Sequence, residues 1–269
     1  MSIDFKIRGR LGNAIFRYMA SVIMHIVTNK EYNVYNDMKL NILNIHHNGI
    51  KITDDYFYEL SQKLLKKEKI NVEGETFIMT DFYQHDTIYI KFKSQIMNYI
   101  NNHPEHVIIS DGFNSADRNY GIYKMSDIMN TPSTFNKQYK NVLHLRLEDF
   151  IGNGLYIKNE RIVNLLNQNI ITDNLCIVCK KPTTEFENNY IKQIKDFLIT
   201  KNINIVTEHN DIITDYYIMK EAETLICSNS TLSWCAAFFS NKIKLCYFPD
   251  YKESINQTCK KPIENTILY

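Results

Sequence analysis

The sequence predicts an α/β protein built from two doubly wound domains. Short apolar segments of strand length alternate with longer segments of helical period in both halves of the chain. The alternation stops once, across a polar stretch from Ser110 to Tyr139 that holds Gly112, Gly121, Pro132 and several Asn and Ser. At 269 residues with 44% hydrophobic and 23% charged content, the chain has enough apolar mass for one large or two modest globular domains.

Taken in order, Ile3 to Ile7 reads as a strand and Ala14 to Thr28 as a helix, with a glycine-bearing turn between them. Tyr32 to Tyr35 is a second strand, Asp54 to Lys67 a helix, Thr76 to Met79 a strand and Tyr89 to Asn101 a helix. The polar stretch then suits a long loop or interdomain connection, which places the boundary near Lys137 and divides the chain into 1–137 and 138–269. The second half restarts with a strand from Asn141 to Leu147, followed by a helix from Glu160 to Gln168 and a strand from Leu175 to Cys179. A helix from Phe186 to Thr200, a strand from Ile203 to Val206, a helix from Ile212 to Ala222 and a strand from Leu225 to Cys227 come next. Thr231 to Ser240 reads as a helix and Lys244 to Tyr247 as a strand. In such sheets the ligand is expected in the crevice beyond the strand carboxyl ends.

Charge excludes some partners. The 31 basic and 30 acidic residues leave a formal net charge of +1, so no global field favours nucleic acid or an anionic membrane. The densest basic run, Lys63 to Lys69, interleaves lysine with leucine and glutamate at helical spacing and reads as a solvated helix face. No apolar run approaches the roughly 20 residues needed to span a bilayer, and Met1 to Arg8 lacks the apolar core of a signal peptide. A soluble, cytoplasmic chain is therefore expected, without stable membrane insertion. The six cysteines include Cys176-x-x-Cys179, a spacing open to zinc or redox chemistry, but it lies in an apolar strand with no second Cys/His pair, which favours buried free thiols.

Three segments carry residues suited to binding an anion. Gly9-Arg10-Leu11-Gly12-Asn13-Ala14-Ile15-Phe16-Arg17-Tyr18 joins the first strand to the first helix. Glycines there admit close backbone approach, and the N–H groups of a helix start attract anions; a tight βα turn explains the same residues without a ligand. His144-Leu145-Arg146-Leu147-Glu148-Asp149-Phe150 ends the strand that opens the second half. Arg146 could fork two hydrogen bonds onto a phosphate, or pair with Glu148 or Asp149 as an ordinary surface arginine. Cys227-Ser228-Asn229-Ser230-Thr231-Leu232-Ser233-Trp234 is a hydroxyl-rich turn ahead of an apolar helix, where Ser228, Asn229, Ser230 and Thr231 serve either as caps or as phosphate donors.

With these segments in view, the chain resembles the α-1,2-fucosyltransferases. Gly9 to Tyr18 is similar to that family's Gly-Arg-Leu-Gly-Asn-Gln-x-Phe-Gln-Tyr, and His144 to Phe150 to its His-x-Arg-Arg-Gly-Asp-Tyr. Asp215 to Ala237 resembles its Asp-x-x-x-Met and Ser-Asn-Ser-Thr-Phe-Ser-Trp-Trp block, and Asp81 to Tyr89 its Gly-Tyr-Phe-Gln-Ser-Glu-Lys-Tyr. The segments occur in the family's order and span nearly the whole chain. The resemblance implies a GT-B fold, two Rossmann-like domains facing across a cleft, and transfer of fucose from GDP-fucose to a glycan hydroxyl with inversion. It implies that Arg146 holds the donor pyrophosphate with His144 beside the nucleoside, that Ser230 and Thr231 add phosphate contacts, and that Arg10 and Asn13 approach the donor and the glycosidic oxygen. Gly12 belongs to the same donor-side turn, and Gln84, His85 and Asp86 fall on the acceptor side.

The sequence also departs from the pattern. Leu147 and Glu148 stand where the family has Arg-Gly, Ala14 where it has Gln, and Cys235 where it has the second Trp. The strand-end Phe-Ser-Asp-Asp is replaced by Val178-Cys179-Lys180-Lys181, a pair of lysines that could add phosphate contacts. These changes fall on the base and sugar pockets, so another GDP-deoxysugar such as GDP-rhamnose stays open as donor, and so does a catalytically silent relative that binds a nucleotide or glycan. No Asp-x-Asp triad occurs, so no metal cofactor is expected and fixed cations and backbone dipoles would have to stabilise the leaving diphosphate. His85, Asp86 and Asp111 are candidates for the general base.

Overall fold

The computed structural model describes residues 2–5, 9–28, 33–35, 50–68, 70, 76–79, 81–110, 121–250 and 259–269. The chain divides into two compact units, Met1–Asn130 and Thr131–Tyr269.

In the first unit, strands β1 (Ser2–Phe5), β2 (Asn33–Tyr35), β3 (Ile50–Ile52) and β4 (Thr76–Met79) form a wholly parallel sheet in the order β2-β1-β4-β3. Helix α1 (Leu11–Thr28) follows β1, and apart from the partly exposed Asn13 its residues are buried as far as Met24, which suits a core helix rather than a surface one. The one strong charge in that stretch, Arg17, is buried because its Nη2 donates to the Met79 carbonyl at 2.8 Å and so caps the end of β4. Helix α2 (Asp54–Leu65) follows β3, with Thr53 as N-cap accepting from the Tyr56 N–H and with Asp54 and Asp55 in the first turn, favourable against the helix dipole.

Two expectations are corrected in this unit. Tyr89 to Asn101 is not one helix but part of two, α3 (Asp86–Lys91) and α4 (Lys93–Asn102), divided at Phe92. Phe92 lies outside helical dihedrals at φ −105°, ψ 16°. The stretch expected as irregular from Ser110 contains β6 (Gly121–Lys124), which pairs antiparallel with β5 (Val107–Ser110) at its start, then the short α5 (Met125–Met129). Residues 111–120, which include the base candidate Asp111, lie outside the described residues.

The second unit carries β7 (Asn141–His144), β8 (Asn174–Val178), β9 (Asn204–Glu208), β10 (Thr224–Ile226), β11 (Leu245–Phe248) and β12 (Thr266–Leu268). They form a six-stranded parallel sheet in the order β12-β11-β10-β7-β8-β9. Counted from the first strand of the unit, this is the 3-2-1-4-5-6 order of a Rossmann-like doubly wound sheet. Helices α6 (Glu148–Gly152), α7 (Asn159–Leu166), α8 (Glu185–Thr200), α9 (Ile212–Lys220) and α10 (Thr231–Phe239) fill its connections. Leu143, Leu145, Ile162, Ile177, Ile194, Leu198 and Ile226 meet in one buried cluster between sheet and helices. A reciprocal capping box starts α8: Thr184 Oγ1 accepts from the Glu187 N–H, and Glu187 Oε2 accepts from the Thr184 N–H. Helix α10 is apolar all round and buried from Leu232 to Phe239, so it is an interior element of the unit.

Among the described residues, no helix is long and apolar enough to cross a membrane. All six cysteines are buried and free. Burial pushes the thiols of Cys176 and Cys179 up to about 12, so both are protonated near neutral pH.

Candidate functional site: two clusters at strand carboxyl ends

In the second unit the chain winds outward from β7 through β8 to β9, then crosses back to β10 on the other flank of β7. The reversal leaves a switch point between the carboxyl ends of β7 and β10, where doubly wound sheets hold their ligands. Two of the anion-suited segments end there. His144, the last residue of β7, and Ser228, just beyond β10, are hydrogen bonded through Nδ1 and Oγ at 2.8 Å across 84 residues of sequence. Both are buried.

The turn that follows opens α10. Ser230 is its N-cap, with Oγ accepting from the Leu232 N–H at 3.3 Å, so the capping role weighed from sequence is realised. Ser233 Oγ donates back to the carbonyls of Ser230 at 3.0 Å and Ser228 at 3.4 Å, which fixes the turn from inside the helix. Asn229 is buried between these residues, and Thr231 is the first, partly exposed residue of α10. Below the turn, Tyr269 OH donates to the Cys227 carbonyl at 2.8 Å.

Arg146 does not project into solvent as an isolated strand-end cation would. Its side chain is 13% exposed, and Nε and Nη2 reach Asp149 Oδ1 at 3.2 and 3.0 Å. Glu148 Oε2 stands 4.0 Å from Nη2, and the guanidinium carbon lies 5.2 Å from the centre of the Phe150 ring. The ordinary ion-pair reading of Arg146 is thus present in the structure. The same pairing holds the guanidinium at the end of β7. Burial raises the Glu148 carboxyl while Arg146 and Lys180 pull it back down. Lys180 and Lys181, at the end of β8, are both exposed.

The electrostatics of the unit contain two opposed titrations. Burial lowers the His144 imidazole from its ordinary 6.5 to about 4, leaving it neutral at physiological pH. Burial raises Asp215, on α9, from 3.8 to about 7, against the opposing hydrogen bond from Asn210 Nδ2 at 3.0 Å. For His144 the unfolded chain binds the proton first, so stability is lost as pH falls from 6.5 towards 4. For Asp215 the folded chain binds it first, so stability is lost as pH rises from 3.8 through 7. The two slopes oppose each other in the window they share. Denaturant unfolding at a series of pH values is expected to show the wild type less dependent on pH there than either variant. His144→Asn should lose stability with rising pH relative to wild type, and Asp215→Asn with falling pH, each with a slope of up to about 1.4 kcal/mol per pH unit. Profiles parallel to wild type for both variants would refute the assignment.

The first unit gathers its own cluster around β4. Gly9 lies beyond β1 in the left-handed region at φ +86°, and a Cβ there would stand 2.8 Å from Asn13 Nδ2 and 2.9 Å from Phe82 Cε1. Only glycine fits that approach. Arg10 accepts the first helical hydrogen bond of α1, from Ala14 N–H at 3.1 Å, and Gly12 is buried in the first turn. Gln84 Nε2 donates to Asn13 Oδ1 at 3.0 Å, so the first segment and the acceptor-side segment of the sequence reading meet.

The same segment reaches the other neighbour of β4. Tyr83 OH donates to the Ile52 carbonyl at the end of β3, Asp81 Oδ2 accepts from the Asp54 N–H at 2.9 Å, and His85 Nε2 lies 3.1 Å from Asp54 Oδ2. Tyr83 is fully buried with φ 54°, a strained conformation for an aromatic residue. Asp86 starts α3 and accepts from Thr87 Oγ1 at 3.1 Å, a local contact within the same turn.

Comparison with protein-family models, curated proteins and solved structures finds no match for this chain.

Sequence reasoning did not single out Asp54. It follows β3, a strand of only three residues that the sequence reading did not resolve, and its partner His85 is 31 residues further along. The weak signal was an aspartate at a helix start in the same half as His85.

Proposed function

We propose that the chain is a GDP-sugar-dependent glycosyltransferase of the α-1,2-fucosyltransferase type, with the GT-B arrangement of two Rossmann-like domains. The observation that carries the reading is the His144–Ser228 hydrogen bond at the β7/β10 switch point. Two sequence segments that resemble the family's donor motifs meet at the position where a doubly wound sheet takes a nucleotide.

In this reading the diphosphate takes the N-terminus of α10 and the guanidinium of Arg146. Backbone N–H groups and a fixed cation there stabilise the negative charge that collects on GDP as the glycosidic bond breaks. Positive charge grows on the sugar ring at the same time, as in other oxocarbenium-like reactions. A glycan hydroxyl attacking the opposite face inverts the anomeric centre. The donor phosphates then displace or share the Asp149 partner of Arg146, and neutral His144 offers a hydrogen bond rather than a charge.

A second reading keeps the nucleotide but not the turnover. It is favoured by the Asp149 and Glu148 carboxylates beside Arg146, which compete with phosphate for the guanidinium. A thermal-shift screen over GDP, GDP-fucose, GDP-rhamnose and UDP-sugars, followed by GDP-release assays with glycan acceptors, separates the two. Transfer from GDP-fucose that persists in EDTA is the expected result. Stabilisation by GDP-sugars without release across many acceptors supports the binding module. Activity abolished by EDTA and restored by Mn²⁺ overturns the metal-independent mechanism.

A further inference from the structure

The turn at the β7/β10 switch point is held from two sides. On one side Ser228 Oγ bonds His144 Nδ1 at 2.8 Å, and the Ser228 carbonyl accepts from the Ser230 N–H at 2.8 Å and from Ser233 Oγ at 3.4 Å. On the other side both main-chain groups of Cys227 are taken by the β11–β12 flank of the sheet. Its N–H donates to the Tyr247 carbonyl at 2.8 Å, and its carbonyl accepts from Tyr269 OH at 2.8 Å. Tyr269 follows β12 and is itself tied down at its main chain. Its N–H donates to the Phe248 carbonyl at 3.0 Å, and its main-chain oxygen accepts from the Asp250 N–H at 2.7 Å. Arg161 Nη2, on α7, donates to that same oxygen at 2.5 Å and to the Asp250 carbonyl at 3.2 Å. Tyr269 also packs against the apolar cluster of the unit. Burial pushes its phenol well above the ordinary range, so the hydroxyl stays a donor at any working pH.

Peptide geometry carries this contact into the turn. The Cys227–Ser228 peptide is trans, so its C=O and N–H point in opposite directions. Fixing the Cys227 carbonyl on Tyr269 therefore aims the Ser228 N–H away from Tyr269. Among the described residues no acceptor takes that N–H.

We propose that Tyr269 is a positioning residue for the diphosphate site: its hydroxyl, held in place through Arg161, sets the Cys227–Ser228 peptide so that the Ser228 N–H is ready for a phosphate oxygen. The inference rests on the nucleotide reading above and lies wholly within the second unit. A donor fixed before the ligand arrives gives up little freedom on binding, which raises affinity. The competing account makes the Tyr269 hydroxyl a buried donor that serves stability alone, as Tyr190 OH does on the Ile157 carbonyl at 2.5 Å in the same unit.

Calorimetric titration of GDP into full-length variants, with thermal unfolding of the same preparations, decides between them. Tyr269→Phe keeps the ring and loses only the hydroxyl, and is expected to bind GDP about five- to tenfold more weakly, the size of one neutral hydrogen bond. Tyr190→Phe loses the same kind of bond and should lower Tm by a similar amount, yet bind GDP within about twofold of wild type. Arg161→Met frees the Tyr269 main chain and should weaken GDP binding in the same direction. Because it acts through the same hydroxyl, the double variant should bind no more weakly than Tyr269→Phe alone. GDP affinity of Tyr269→Phe within about twofold of wild type, an equal loss in Tyr190→Phe, or losses that add in the double variant would overturn the positioning role and leave the nucleotide reading standing. A wild-type chain that binds neither GDP nor any GDP-sugar overturns the nucleotide reading, and this inference falls with it.

Discussion

Arg146→Ala is expected to lower kcat for transfer by about two to three orders of magnitude, the usual cost of deleting one donor aimed at developing negative charge. GDP affinity should fall as well, by about 1.5 to 3 kcal/mol for a lost charged hydrogen bond. The fold should survive. The ion pair with Asp149 involves a carboxylate 39% exposed and is worth at most about 1 kcal/mol after screening, and the contact with Phe150 adds a similar amount. Both figures are small beside a stability of about 5 to 15 kcal/mol. The variant that separates chemistry from architecture is Asp149→Asn. If Arg146 serves only to hold α6 onto the end of β7, both variants lose the same contact and behave alike. If it serves a phosphate, Asp149→Asn removes a competitor and should bind GDP as well as wild type or better, while Arg146→Ala binds it poorly. Arg146→Lys keeps the charge but not the fork and should fall between wild type and alanine. Calorimetric GDP titration and turnover of the three variants give the comparison; equal GDP affinities for Arg146→Ala and Asp149→Asn would remove Arg146 from the donor site.

The regular β/α alternation was legible because Glu185–Thr200 carries helical periodicity and a capping box, Leu11–Thr28 is a long apolar segment, and the strands are short apolar runs. Elements whose existence depends on a distant partner were not. Ile50–Ile52 and Thr266–Leu268 are three residues long and become strands only by pairing with Thr76–Met79 and Leu245–Phe248. The antiparallel partners Val107–Ser110 and Gly121–Lys124 are separated by residues 111–120, too long a connection for a tight-turn signal. At the candidate site, the sequence marked which strand ends carry donors, since glycine, arginine and hydroxyl residues stand out beside apolar strands. The Arg146–Asp149 pair, three residues apart, was one of the two readings the sequence offered, but the sequence could not show that His144 is neutral against Ser228 or that His85 lies on Asp54. Those are contacts fixed by strand order, which composition and period do not encode.

Asn13→Ala is expected to show the opposite split from Arg146→Ala: GDP binding close to wild type, with kcat lowered about 10- to 100-fold. The resemblance places Asn13 near the glycosidic oxygen, where a hydrogen bond strengthens only as the bond breaks, so its loss should appear in the transition state and not in the GDP complex. The structure adds a reason for the side chain to be pre-set. Asn13 Oδ1 accepts from Gln84 at 3.0 Å, which fixes the amide orientation and directs its donor nitrogen towards Gly9, where a Cβ would be only 2.8 Å away. Asn13→Asp is the sharper probe. It keeps an oxygen for Gln84, so the turn and α1 should hold, but it replaces the amide donor with a second, negatively charged acceptor. Its kcat should therefore be at or below that of Asn13→Ala. Gln84→Ala, which frees the amide to rotate without removing it, should cost less than either. Turnover of the three variants with GDP affinity measured alongside tests the order. Wild-type kcat in Asn13→Asp, or a loss of GDP affinity in Asn13→Ala as large as in Arg146→Ala, would show that Asn13 does not act at the bond that breaks.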